Sequence, residues 1–270
     1  MIDDSVTVTD LAQYVRHIEC HFKDGPILYR GQREDMPLLP KLARLRLTLP
    51  LLEAERRMFE EFRRQSIPFL DYEPSTEWDW LALMQHHGLP TRLLDWTLNP
   101  LAALWFAVSK PAEDSSRGVV WAFVPSRDDI ITPTQGSSPF EGGRTLVFQP
   151  SHVTRRIVAQ SGCFTVHKYI HAKKHFIRLE LNKNYSSLLT KYVIPASCFA
   201  DLRFCLSNFG VNAVSLFPDL DGLSKRLRWL YALETDETVP RQSSQFIDKS
   251  GRAEQRAAHM GPTGKRIGRH

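Results

Sequence analysis

Apolar residues recur three and four positions apart at Leu11, Tyr14, Val15 and Ile18, directly after Asp10, and this spacing predicts a first helix capped by that aspartate. Residues 26–31 form a short apolar run that stops at a glycine, the mark of a buried strand. From 51 to 66, Met58, Phe59 and Phe62 share a stripe flanked by Glu53 and Glu55, which predicts an amphipathic helix. A further helix is expected over 76–87, with Ser75 as cap, Leu81, Met84 and Gln85 in period, and Gly88 and Pro90 as stop signals. Residues 93–97 then read as a strand, Asn99-Pro100 opens an apolar helix over 101–108, and 118–124 is rich in β-formers. Pro, Gly and Ser crowd 127–143, which reads as a long surface loop. Residues 163–167 and 175–181 are expected to be two strands of a hairpin or meander. A mostly helical stretch over 194–208 with Gly210 as C-cap, a strand over 211–216 and a closing helix over 223–233 complete the pattern. Periodicity dies away after Glu234, and no internal repeat occurs. The pattern predicts an α+β chain: an N-terminal helical segment over 1–25, one domain over 26–237, and a disordered tail over 238–270.

Composition changes this picture little. With 270 residues, 42% hydrophobic and 24% charged, the chain has the make-up of an ordinary globular protein with room for a substantial core. The longest apolar run, 101–108, is far short of the ~20 residues a membrane helix needs, and the first residues lack a basic-then-apolar leader. Cys20, Cys163, Cys198 and Cys205 are scattered, with no C-x-x-C pair, so zinc and a disulfide framework have little support and the reducing cytoplasm is the expected location. Charge is unevenly placed. From 239 onward stand Arg241, Lys249, Arg252, Arg256, Lys265, Arg266 and Arg269 against Asp248 and Glu254, which accounts for the whole net charge of +5. The first 238 residues hold 28 basic and 28 acidic residues, the remainder of 35 and 30. Any general attraction to nucleic acid is therefore expected to be weak, salt-sensitive and confined to the tail.

Candidate chemistry gathers at two places. Tyr29-Arg30-Gly31-Gln32 puts an arginine beside a glycine at the end of a buried strand, where a guanidinium can reach a ligand that the backbone approaches closely. The alternative is an ion pair with a helix carboxylate such as Glu55. The second place is residues 85–97, QHHGLPTRLLDWT. His86 and His87 are neighbours, so on a helix they point about 100° apart and make a poor metal pair. One of them suits the C-terminal end of the helix dipole. Arg92 and Asp95 lie among Leu93, Leu94 and Trp96, where charges need partners, and Arg92 reads as a clamp between strand and helix. Thr97 falls where a strand meets a helix N-terminus, whose free N–H groups suit an anion or a ribose. There is no G-x-S-x-G elbow, P-loop or G-x-G-x-x-G. Cys163 and His167 on one strand would stand about 13 Å apart, too far for a dyad. His171 and His175 read as a solvated cluster, and Asp219 and Asp221 as caps of the last helix.

Four stretches together resemble one family. Tyr29-Arg30-Gly31-Gln32, residues 85–97 continuing into Asn99-Pro100, residues 159–165 (AQSGCFT) and residues 216–222 (LFPDLDG) are similar to the motifs of the FRG domain family, a bacterial and phage-associated group named for a Phe-Arg-Gly motif. Tyr29 stands where that motif has Phe. A remoter resemblance, in the order of elements, is to the ADP-ribosyltransferase fold, and it implies a split, mixed or antiparallel sheet flanked by helices. It also implies NAD as substrate, no metal, and transfer of ADP-ribose to a protein or nucleic acid, as in a toxin or phage-defence effector restrained by an antitoxin or regulatory partner. On that resemblance Tyr29, Arg30, Gly31, Gln32, Gln85, His86 and Thr97 bind the dinucleotide, and Arg30, His86, Asp95 and Gln160 are the catalytic candidates. The position where the transferases carry Glu falls near Gln160. A Gln can bond a ribose hydroxyl but brings no negative charge, so Asp95, Asp219 or Asp221 would have to supply it. Two other readings stay open: a noncatalytic nucleotide- or partner-binding module, and a metal-dependent nuclease built on His86, His87 and Asp95.

Overall fold

The structure, a computed structural model, describes residues 5–20, 25–71, 73–113, 117–133, 137–150 and 155–237. The chain runs β1 (Val6–Thr7), α1 (Leu11–Glu19), β2 (Leu28–Gln32), α2 (Leu51–Ser66), α3 (Glu77–His86), β3 (Leu93–Thr97), α4 (Pro100–Val108), β4 (Gly118–Phe123), β5 (Ile130–Ile131), β6 (Leu146–Phe148) and α5 (Arg155–Ala159). It continues through β7 (Gly162–Val166), β8 (Tyr169–Ile170), β9 (His175–Phe176), β10 (Leu189–Ile194), α6 (Phe199–Asn208), α7 (Ala213–Leu216) and α8 (Leu220–Tyr231). Eight strands form one sheet in the order β1-β10-β4-β2-β3-β7-β6-β5, while β8 and β9 pair separately. The sheet is mixed: β1 runs parallel to β10 and β5 to β6, and the other neighbours are antiparallel. This is the expected α+β class, with a large mixed sheet flanked by helices.

The two central strands set up everything that follows. β2 and β3 share a single register pair, Tyr29 with Thr97, whereas β2 is paired with β4 along its full length and β3 likewise with β7. Because side chains alternate across a sheet, Tyr29, Val120, Ala122 and Tyr192 share one face with Leu93, Thr97, Phe164 and Val166. That face carries two cores. Under α1, α4 and α6 lie Tyr14, Tyr29, Ala103, Leu104, Tyr192 and Phe199. Under α2 and α3 lie Phe59, Trp78, Leu81, Phe148 and Phe164. A third core, with Leu28, Leu94, Trp96 and Phe123, fills the opposite face beneath loops and 3₁₀ turns that carry Leu38 and Leu179. The N-terminal helical segment belongs to the first of these cores, since Tyr14 and Ile18 of α1 are buried in it.

Several elements differ from expectation. Residues 163–167 do form a strand, but β7 pairs with β3 and β6 rather than with 175–181, where only His175–Phe176 is extended and Leu179–Leu181 is a 3₁₀ turn. Residues 211–216 are not a strand. Asn212 accepts from the N–H groups of Val214 and Ser215 while its own N–H bonds the Ser215 hydroxyl, and this capping box starts α7. Ile194 closes β10 instead of opening a helix. The cap of α3 is Thr76, one residue later than Ser75. The expected tail over 238–270 lies outside the described residues. Among the described residues no helix is long and apolar enough to cross a membrane.

Candidate functional site

Gly31 brings β2 against α4. A Cβ at this position would sit 1.8 Å from the Ala103 carbonyl oxygen, so only glycine allows the strand to lie this close to the helix. The glycine therefore serves helix packing, and it also lines the cleft described below. The adjacent Arg30 projects where β2 and β3 have parted. Its Nη1 donates to the Asp95 carbonyl at 2.7 Å and lies 3.8 Å from Asp95 Oδ2, while its Nε–H is buried with no hydrogen-bond partner. Burial lowers the guanidinium pKa; Asp95 opposes that shift and Arg44 adds to it. The alternative partner proposed for Arg30, Glu55, is bound elsewhere. Glu55 and Arg92 form a buried two-pronged ion pair, Arg92 Nη1 also donates to the Pro139 carbonyl, and β3 is thereby clamped to α2.

α3 ends in a Schellman arrangement: Gly88 N–H bonds the Gln85 carbonyl, Leu89 N–H bonds the Met84 carbonyl, and Gly88 takes φ +85°. This stop fixes Gln85 over the cleft. Gln85 accepts from the Thr91 hydroxyl at 2.8 Å and donates through Nε2 to Asp95 Oδ2 at 3.0 Å, so the amide is oriented by one partner and orients the other. Asp95 is otherwise exposed. His86 is half-buried and stacks edge-on with His87, ring centres 5.0 Å apart. Burial, with His87 and Arg156 adding to it, lowers the His86 pKa, so the neutral ring is favoured rather than the charge that would complement the helix dipole.

Thr97 also differs from expectation. Its hydroxyl donates to the Gln160 carbonyl at 2.5 Å and accepts from Asn99 N–H at 2.9 Å, and the Asn99 side chain caps Leu101 and Ala102 of α4. The first N–H groups of α4 are thus already bonded, and Thr97 ties β3 to the Gln160 turn instead of presenting a free helix end. Gln160 Nε2 in turn donates to the Leu216 carbonyl. The next residue, Ser161, holds φ +48°, a left-handed conformation that costs a non-glycine residue roughly 1 kcal/mol and that turns the chain from α5 into β7.

These residues bound one cleft of about 360 Å³, lined by Tyr29, Arg30, Gly31, Gln85, Asp95, Thr97 and Gln160 together with Lys41, Phe106 and Arg156. A smaller recess of about 80 Å³ adjoins it, sharing Gln85, Asp95, Arg156 and Gln160 and adding His86. Gln32 lines neither; it is buried farther along β2 with its Oε1 unpaired. Asp219 and Asp221 line neither, and Asp219 caps α8 through Gly222 N–H. Arg156 escaped the sequence reading: it stands at the cleft wall with its guanidinium 4.4 Å from the centre of the Phe217 ring. Among the described residues no group of three or more His, Cys, Asp or Glu side chains is placed to hold a metal ion.

The molecule is thus an α+β domain with a polar, cationic cleft between two helix groups, floored by a sheet that opens between its central strands. Residues 25–116, which include β2 through α4, match the sequence model of the FRG domain. Arg30 and residues 85–97 fall within that stretch, whereas 159–165 and 216–222 lie beyond it. No curated protein and no solved structure matches the chain.

Proposed function

We propose that the cleft binds NAD and that the chain is an ADP-ribosyltransferase-like enzyme of the cytoplasm, an effector that modifies a protein or nucleic acid. The observation that carries this reading is the meeting of Arg30 of β2, Asp95 and Thr97 of β3, and Gln160 of the turn after α5 around one opening in the sheet. The groups present suit such a ligand. Arg30 and Arg156 supply cationic donors for a pyrophosphate, with the Arg30 Nε–H still unpaired. Gln85 and Thr91 hold the Asp95 carboxylate in place. Among the described residues Asp95 is the carboxylate that lines the cleft, so it takes the electrostatic role that the Gln at 160 cannot fill, stabilising positive charge that develops on the ribose as its bond to nicotinamide breaks. The acceptor's oxygen or nitrogen then bonds the same carbon and releases its proton. His86, kept neutral, lies within the adjoining recess as a candidate to receive it.

A noncatalytic nucleotide-binding module is favoured instead by one feature: the Gln160 amide N–H already bonds Leu216, which gives it a structural use. Labelled NAD separates the two. The enzyme reading expects free nicotinamide or label on an acceptor, both lost in Arg30→Ala and in Asp95→Asn. Saturable binding with no turnover would establish the module instead.

A further inference from the structure

A second cavity, of about 340 Å³, shares Phe106 with the cleft and is lined by residues of α4, α6, α7 and α8. Its lining includes four aromatic rings, those of Trp105, Phe106, Phe217 and Trp229. Trp105 and Phe217 lie with ring centres 6.0 Å apart. Its cations fall into two groups. Arg203 and Arg228 are neutralised, the first by Asp236 and Glu237, the second by Glu234. Lys110, Lys225 and Arg226 have no carboxylate partner among the described residues. Lys225 Nζ stands 5.1 Å from the Phe217 ring centre, and the Arg226 guanidinium is 4.9 Å from that of Trp229 and donates to the Ser207 hydroxyl. Burial lowers the Arg226 pKa, as expected of a guanidinium held in a pocket without a counter-charge.

Aromatic faces flanked by uncompensated cations suit a ligand that carries a flat ring and a phosphate on one small frame, with stacking and charge each contributing. The volume falls within the ~300–1,000 Å³ of small-ligand pockets, enough for one nucleotide unit. We propose that this cavity is a second binding site for a nucleoside phosphate, the base among the rings of Trp105, Phe217 and Trp229, where it displaces Lys225 and Arg226 from the ring faces, and the phosphate on Lys110, Lys225 and Arg226. The unit is either a free nucleotide or one residue of a single-stranded nucleic acid. The site adjoins the Arg30 cleft through Phe106 but its proposed contacts do not include Arg30, so it does not rest on NAD binding there.

The test is calorimetric titration of the full chain carrying Arg30→Ala, which takes the first cleft out of the measurement. The probes are AMP, inorganic phosphate, an eight-nucleotide oligothymidylate and an oligoglutamate peptide, all at low salt. Lys110 and Lys225 are exposed, so Lys110→Ala/Lys225→Ala preserves the fold, with thermal unfolding as the check. AMP is expected to bind more tightly than phosphate and to lose at least tenfold in affinity in the double variant. An oligonucleotide that binds more tightly than AMP, with the same sensitivity, identifies single-stranded nucleic acid as the source; equal affinity identifies the free nucleotide. The proposal is overturned if neither AMP nor the oligonucleotide binds, if the double variant binds both as well as its parent does, or if the oligoglutamate peptide binds and AMP does not.

Discussion

Glu55→Gln removes one charge and almost no volume from the middle of the protein, and the structure gives the size of the effect. Glu55 and Arg92 are each at most 4% exposed at the side chain and meet through two parallel hydrogen bonds. The Arg92 guanidinium is also enclosed by Phe140 and Phe176, at 4.7 and 5.6 Å from the ring centres. A neutral glutamine can still accept one hydrogen bond, but the guanidinium then has no counter-charge and no path to water. Removing one partner of such a pair costs about 3–5 kcal/mol, and the surviving bond puts the expected loss near the lower figure. For a domain of this size, about 2–4 °C of melting temperature goes with each kcal/mol, so Tm should fall by roughly 6–12 °C. Urea denaturation followed by tryptophan fluorescence measures the same quantity at one temperature. Glu55→Leu/Arg92→Met should recover most of the loss, because an apolar pair of similar volume carries no desolvation penalty, although the Pro139 carbonyl then goes unbonded. A single variant within about 1 kcal/mol of the parent, or a double variant as unstable as the single, would refute the clamp.

Three further outcomes follow from the same geometry. Gly31→Ala places a methyl against the Ala103 carbonyl and should cost at least the ~1–3 kcal/mol of core overpacking, seen as a lower Tm. Thr97→Val keeps the shape but leaves the Gln160 carbonyl and Asn99 N–H without their partner, and should cost about 1–3 kcal/mol in urea titrations. His167 is buried, its Nδ1–H donating to the Ile177 carbonyl and its Nε2 accepting from the Thr165 hydroxyl, which itself accepts from Trp96 Nε1–H. Burial pushes its pKa from 6.5 down to about 4, so below pH 6.5 the unfolded chain takes up a proton that the native ring refuses. The stability this neutral ring provides is complete above about pH 6.5 and falls by about 3 kcal/mol as the pH drops to 4. In His167→Asn that part of the pH dependence should vanish.

Legibility in the sequence tracked how local each signal is. The stop of α3 was readable because Gly88 and Pro90 act on their own backbone, and Arg92 was recognisable as a clamp because a charge among Leu93, Leu94 and Trp96 must be paired. The strand expected over 163–167 and found at Gly162–Val166 was readable, but its partners were not, since pairing with β3 and β6 is decided by residues far away in the chain. At 211–216 a strand was expected, while the Asn212 cap, a single-residue signal, decided for helix. β6, three residues long, gave no period to detect. Within the cleft, Arg30, Asp95 and Thr97 stood out from their apolar neighbours. Arg156 did not, because an arginine on a short helix looks like any solvated residue until Phe217, from another element, comes to face it.

Calorimetric titration of NAD into the full chain and into Arg30→Ala tests whether Arg30 marks a dinucleotide site. Saturable binding at one NAD per cleft is expected, weakened at least tenfold in the variant while both proteins unfold within a few degrees of each other. Absence of NAD binding by the parent chain, or equal binding by a folded Arg30→Ala, would contradict it.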